Sequence, residues 1–294
     1  MSILALTVII RLCQYVNKKK DQTRGSILMK TQIVASIATL PLALAGVFLA
    51  PQSAGAADFG TSWDGSGYSL QELLDGITTD GPGVDTVNDQ TGYEWFTSTA
   101  TGNSTASFMF EIAGYAPDNI FGIYNAAGTK IQLFGGANDE GDSSYFTFLA
   151  DGSVSVSTIP FAPGASVPTT SPSYNFYTDF GNEFGFYLTN GGGQTFYTQN
   201  ALNNGGYQQA VVYEGDDATT MALPGKAPGL FTDNEFIIAF EDLWVGGHTD
   251  RDYNDLVVMV ESIAPASVPE PATLFGLGAV AVGLVASRRS QKNS

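Results

Sequence analysis

The segment SYFTFLADGSVSVS, residues 144–157, constrains the fold more than any other stretch of the chain. Phe146 and Phe148 alternate on one arm, Val154 and Val156 on the other, and Asp151-Gly152 stands between them. A period of two belongs to a strand, because successive side chains of an extended backbone point to opposite faces. Asp-Gly tolerates the positive φ that a tight hairpin turn demands. Short aromatic or apolar runs broken by turn residues continue through most of the chain that follows residue 76. The chain is therefore expected to be β-rich and antiparallel.

One helix is legible ahead of these runs. In SLQELLDG (69–76), Ser69 is the expected N-cap, Glu72 completes a capping box, and Gly76 is the expected terminator. NEFIIAFEDL and DLVVMVES read as further strands. Both alternating sets of LVVMV are apolar, which predicts a strand covered on both faces. Phe121-Gly122-Ile123-Tyr124 and Phe184-Gly185-Phe186-Tyr187 share the pattern F-G-x-Y. Gly128 or Gly191 follows each tyrosine by four residues, and Phe134 or Phe196 closes each arm. The glycines between aromatics suit bulges or close backbone approaches. The stretch 159–173 holds four prolines and cannot be a central strand. The expected fold is all-β, an antiparallel β-sandwich of jelly-roll type with one short N-terminal helix.

Both ends carry targeting features. Residues 29–57 have the order of a secretory signal: Lys30, an apolar run over 33–50, then the small residues Ala54-Gly55-Ala56. Cleavage is expected after Ala56 or Ala57. Residues 1–28 hold a second apolar stretch ending in three lysines; two export segments in a row are redundant, so translation is expected to begin at Met29. At the far end Pro269-Glu270-Pro271 precedes 16 uncharged residues, 272–287, and then Arg288, Arg289 and Lys292. A bilayer core of ~30 Å needs roughly 20 helical residues, so this is a short span. Its basic tail belongs on the cytoplasmic side. The expected division is thus 1–28, signal peptide 29–57, extracellular domain 58–264 and sorting segment 265–294.

Between 58 and 264 there are 27 acidic residues against Lys130, Lys226 and Arg251, a balance of −24. Such a field repels nucleic acid and anionic lipid surfaces and attracts divalent cations. The only cysteine of the chain, Cys13, precedes the signal, so the exported domain has no disulfide.

Five of the acids, Glu241, Asp242, Asp250, Asp252 and Asp255, fall within 15 positions where the domain average predicts about two. Asp250, Asp252 and Asn254 have i, i+2, i+4 spacing, which in a curved loop turns three oxygens toward one point. Ca2+ takes oxygen ligands of this kind. The other reading is an acidic turn on an acidic surface. The pattern also fits an EF-hand at positions 1, 3, 5 and 12 with Glu261, but position 6 is Asp255 where that loop needs glycine, and Leu256–Val260 reads as a strand. A sandwich-type calcium loop is preferred, with Glu241 and Asp242 as further ligands. Zinc is disfavoured because His248 is the only histidine; Mg2+ and Mn2+ stay open. That lone histidine, with no nucleophile elbow or phosphate-binding glycine motif, gives no catalytic constellation, and no enzyme is expected. Trp63, Trp95, Trp244 or tyrosines are candidates for stacking on sugars if exposed.

The C-terminal segment resembles the PEP-CTERM sorting signal of exopolysaccharide-producing bacteria, with the motif, the short transmembrane helix and the arginines in order. The resemblance implies processing near Pro-Glu-Pro by an exosortase-type enzyme; a permanent anchor is the alternative. Residues 112–128, FGFYL (184–188) and 236–258 with the acids above resemble the bacterial domain of unknown function 4114, over most of residues 70–262. That family is found mainly in secreted or surface proteins and implies location and β architecture, not chemistry. Together these features suggest a non-catalytic surface or exopolysaccharide-associated protein, with a lectin-like module or a hydrolase as alternatives.

Overall fold

In the computed structural model the described residues are 57–60, 68–111, 116–160, 174–247 and 249–267. The expected N-terminal extension, the signal segment up to Ala56, residues 161–173 of the proline-rich connection, Trp63, His248 and the sorting segment from Val268 onward lie outside them.

Helix α1 spans Leu70–Ile77. The Glu72 N–H donates to Ser69 Oγ at 3.3 Å and the Ser69 N–H donates to the Glu72 carboxylate at 2.9 Å, which is the expected capping box. Gly76 does not end the helix. It continues to Ile77, and extended Thr78 closes it, donating its N–H to the Leu74 and Asp75 carbonyls and its hydroxyl to Leu74 O at 2.9 Å. A hydroxyl cap one turn away does the work expected of the glycine.

The strands β1 (Thr78–Asp80), β2 (Gln90–Thr91), β3 (Phe96–Ser98), β4 (Ser104–Phe110), β5 (Ile120–Tyr124) and β6 (Lys130–Phe134) come next. The hairpin β7 (Ser143–Phe148) and β8 (Val154–Ile159) follows, then β9 (Asn175–Tyr177), β10 (Glu183–Thr189) and β11 (Thr195–Tyr197). β12 (Ala210–Glu214), β13 (Thr220–Met221), β14 (Gly229–Leu230), β15 (Glu235–Phe240), β16 (Leu256–Glu261) and β17 (Ile263–Pro265) complete the domain. An eight-stranded sheet runs β2-β12-β15-β16-β4-β7-β8-β9, and a six-stranded one runs β17-β3-β10-β5-β6 with β11 also on β10. β1, β13 and β14 form a small third sheet. All pairings among the described strands are antiparallel.

The two large sheets share one apolar core, so the expected sandwich is present. Phe121, Phe184, Phe186 and Leu188 meet Phe236, Ile238, Phe240, Leu256 and Val258 there. The far face of the eight-stranded sheet is covered as well. Val257 and Met259 of β16 join Leu70 and Leu74 of α1 and Phe231 in a second cluster. β16 is therefore buried on both faces, as its sequence predicts.

The 144–157 hairpin pairs Phe146 with Val156 and Phe148 with Val154. Gly152 turns it at φ +83°, its N–H donating to Leu149 O at 2.9 Å while the Leu149 N–H donates to Ser153 O at 2.8 Å. The same turn closes Asn125–Thr129 around Gly128 and Asn190–Gln194 around Gly193. In the second F-G-x-Y arm the turn glycine is thus Gly193 rather than Gly191, because β10 has seven residues and β5 has five. The two arms are neighbours: Gly122 pairs with Tyr187 and Gly185 with Tyr124. Each tyrosine ring lies over the other strand's glycine, where an added Cβ would meet Tyr187 Cε1 at 2.8 Å or Tyr124 Oη at 2.6 Å.

Candidate metal centre

β15 and β16 are paired up to Phe240–Leu256. Continuing the register brings Glu241 and Asp255 to the end of the ladder, with residues 242–254 as the connection between them. In that connection Arg251 and Tyr253 take φ of +58° and +55°, one on each side of Asp252. Left-handed backbone costs a residue with a Cβ ~1–2 kcal/mol, so the surroundings have to hold it. They do so at several points. The Tyr253 N–H donates to Glu241 Oε1 at 2.9 Å and its phenol to Gln208 O at 3.0 Å. The ring of Phe59 packs 5.1 Å from that of Tyr253. The Gly60 N–H donates to Arg251 O at 2.9 Å, and a Cβ at Gly60 would overlap Asp250 O. The Thr249 hydroxyl donates to the Glu241 carboxylate.

The outcome is that carboxylate oxygens of Glu241, Asp250 and Asp252 lie within 4.8 Å of one another, Glu241 and Asp252 buried and Asp250 half-buried. Two like charges ~4 Å apart repel by ~4 kcal/mol at an effective dielectric of ~20. Burial first, then the charges of Asp252 and Asp250, raise the Glu241 carboxyl above its ordinary range, against hydrogen bonds from Thr249 and Tyr253. A positive partner would favour the charged form of such a group. The Arg251 guanidinium lies 3.9 Å from Asp58 on the surface. Lys226 donates to the Ser107 and Ser143 hydroxyls, and Lys130 sits over the Tyr187 and Tyr197 rings.

Of the five sequence-predicted carboxylates, Asp242 and Asp255 fall outside this group of three. Asp255 accepts from the Asp242 N–H at 2.8 Å, and burial followed by the charges of Asp242 and Glu241 raises its carboxyl strongly. Asp242 turns elsewhere, its Oδ2 accepting from Asn119 Nδ2 at 3.2 Å. Asn254, fully buried, donates through Nδ2 to Tyr68 O at 2.8 Å. Sequence reasoning missed Glu111 and Asn119, which join Asp242 here. Burial pushes Glu111 up to about 7, the Asn119 hydrogen bond opposing and the charges of Asp242 and Asp139 adding to the rise. No local signal marks these residues, since Asn119 stands 123 positions from Asp242.

Of the candidates for sugar stacking, Tyr68, Tyr174 and Tyr207 are exposed, whereas the two described tryptophans are not open platforms. Trp95 is 1 % exposed against Tyr124 and Tyr187. Trp244 packs on the main core, edge to face with Tyr207 at 5.8 Å, and donates to Asn204 O at 3.1 Å.

An all-β sandwich with an acidic corner is followed at once by a sorting sequence, and that sequence marks a secreted cell-surface protein. Residues 267–290 match the PEP-CTERM protein-sorting motif, and residues 179–263 match the domain of unknown function (DUF4114). The chain therefore carries a PEP-CTERM sorting motif, which implies processing by an exosortase-type enzyme, directly after a segment that matches this domain. The domain match includes the second aromatic arm and the acidic connection; the first arm, 112–128, falls outside it, so the match is narrower than the resemblance over 70–262 suggested. No curated protein matches the chain, and no solved structure does.

Proposed function

We propose that the exported domain is a non-catalytic module of the cell surface or exopolysaccharide matrix whose 241–255 connection is closed by Ca2+. The observation that carries this reading is the convergence of Glu241, Asp250 and Asp252 in a connection held in left-handed backbone at two positions. Three carboxylates suit a hard cation, with water and carbonyl oxygens completing its shell. The ion would balance the buried charge and fasten the ends of β15 and β16, a structural role in a domain without disulfides.

Titration calorimetry and thermal unfolding of the purified protein, stripped with chelator, test the reading. Saturation at ~100-fold above Kd adds ~2.7 kcal/mol, which for a domain of ~200 residues raises Tm by ~5–10 °C. Absence of both binding heat and thermal shift at millimolar Ca2+ rejects it. Matrix association is tested by binding of the same protein to isolated exopolysaccharide with and without chelator; equal failure in both removes that partner.

A further inference from the structure

Asn119 is 2 % exposed and its amide is half satisfied. Nδ2 donates to Glu111 Oε1 at 3.1 Å and to Asp242 Oδ2 at 3.2 Å, so the amide nitrogen bridges the two carboxylates. Oδ1, ~2.3 Å from that nitrogen by amide geometry, is buried with no hydrogen-bond partner among the described residues. An orphaned buried acceptor is costly, and native structures rarely keep one without a water or an ion. The three side chains come from separate elements: Glu111 follows β4, Asn119 precedes β5, and Asp242 follows β15. Asp242 is fixed further by Asn190 Nδ2, which donates to its carbonyl at 2.7 Å.

We propose that Glu111, Asn119 and Asp242 form a second site for a hard divalent cation, beside the Glu241–Asp250–Asp252 centre. The donors are two carboxylates and an amide oxygen, the types Ca2+ and Mg2+ take, and two negative charges match one divalent ion. The neutral amide N–H2 now bridges the carboxylates. A cation replaces that bridge with full charge and gives the unpartnered Oδ1 an electropositive neighbour, the amide turning about its Cβ–Cγ bond to present it. Water completes the shell. The second ion would join the ends of β4 and β15 to the start of β5, where the first joins β15 to β16.

The site extends the calcium reading but stands on residues the first centre does not use, so the two can fail separately. Calorimetry on the chelator-stripped protein with Ca2+, and again with Mg2+, reads stoichiometry. Two equivalents are expected for the native protein, one for Glu111→Gln and one for Glu241→Gln. A native protein that binds one equivalent, unchanged in Kd by Glu111→Gln, overturns this proposal and leaves the first centre standing. One equivalent lost in Glu111→Gln but kept in Glu241→Gln supports the second site and removes the first. No binding at all overturns both. Should Glu111→Gln fail to fold, Asn119→Asp decides: a third carboxylate at the site is expected to tighten one binding event about 10-fold, and an unchanged isotherm overturns the proposal.

Discussion

At the residue scale the domain depends on reciprocal fits that leave no slack. Gly122 and Gly185 lie under tyrosine rings, and Gly122 also faces Ile131 O, which an added Cβ would meet at 2.0 Å. Gly122→Ala is expected to lower stability by about 2–3 kcal/mol, the cost of overpacking against backbone. Gly102, with open space around its Cα, is the control: Gly102→Ala should stay within about 0.5 kcal/mol. Urea unfolding midpoints distinguish them, and equal effects would show that the ring-over-glycine fit carries no energy. The F-G-x-Y repeat was legible in the sequence. That its two copies face each other was not, because residues 63 positions apart become neighbours only when β5 and β10 pair.

At the scale of elements, local rules and tertiary context share the outcome. The capping box was written in the sequence as Ser69 and Glu72, and Ser69→Ala should cost about 1 kcal/mol. The loss should appear in the denaturation midpoint and as faster amide exchange in α1; exchange unchanged throughout Leu70–Ile77 would show that packing of Leu70 and Leu74 alone holds the helix. The helix end was misread, since Thr78 rather than Gly76 stops it. The hairpin turns obey a stronger rule. Gly152 sits at φ +83°, so Gly152→Ala is expected to cost about 1–2 kcal/mol although it points into open surroundings. The control is Gly76→Ala, where the same methyl enters a helix and should stabilise by up to about 1 kcal/mol.

At the scale of the whole molecule, burial of tyrosines on the outer faces of both large sheets sets how the protein responds to pH. Burial raises the phenols of Tyr124 and Tyr213 and pushes Tyr187 up to about 12. An unfolded tyrosine titrates near ~10, so above that pH the unfolded chain gives up protons that the folded one keeps. Stability is therefore intact below pH ~10 and falls as pH rises toward the folded values. Absorbance of ionised tyrosine should rise in two phases, a graded one from exposed rings and a cooperative one coincident with loss of near-ultraviolet circular dichroism. A single graded phase with the fold intact would contradict the burial of these rings. The second candidate cation site belongs to this scale too, because it joins β4 and β5 to β15, strands far apart in the chain.

What the sequence determined by itself were properties with short range. They are the period of two, the turn glycines, the capping box, the two-sided apolar strand of β16, the acidic excess, and the sorting motif read directly from Pro269 to Arg289. Tertiary structure alone decided the rest: which of the acids converge, that Asp242 leaves the others for Glu111 and Asn119, and that Trp95 is core rather than surface. The physical reason is reach. Backbone geometry and periodicity act over a few residues, whereas a cluster of carboxylates is set by strand pairing and by the burial that pairing imposes. Neither leaves a mark at the spacing of neighbouring residues.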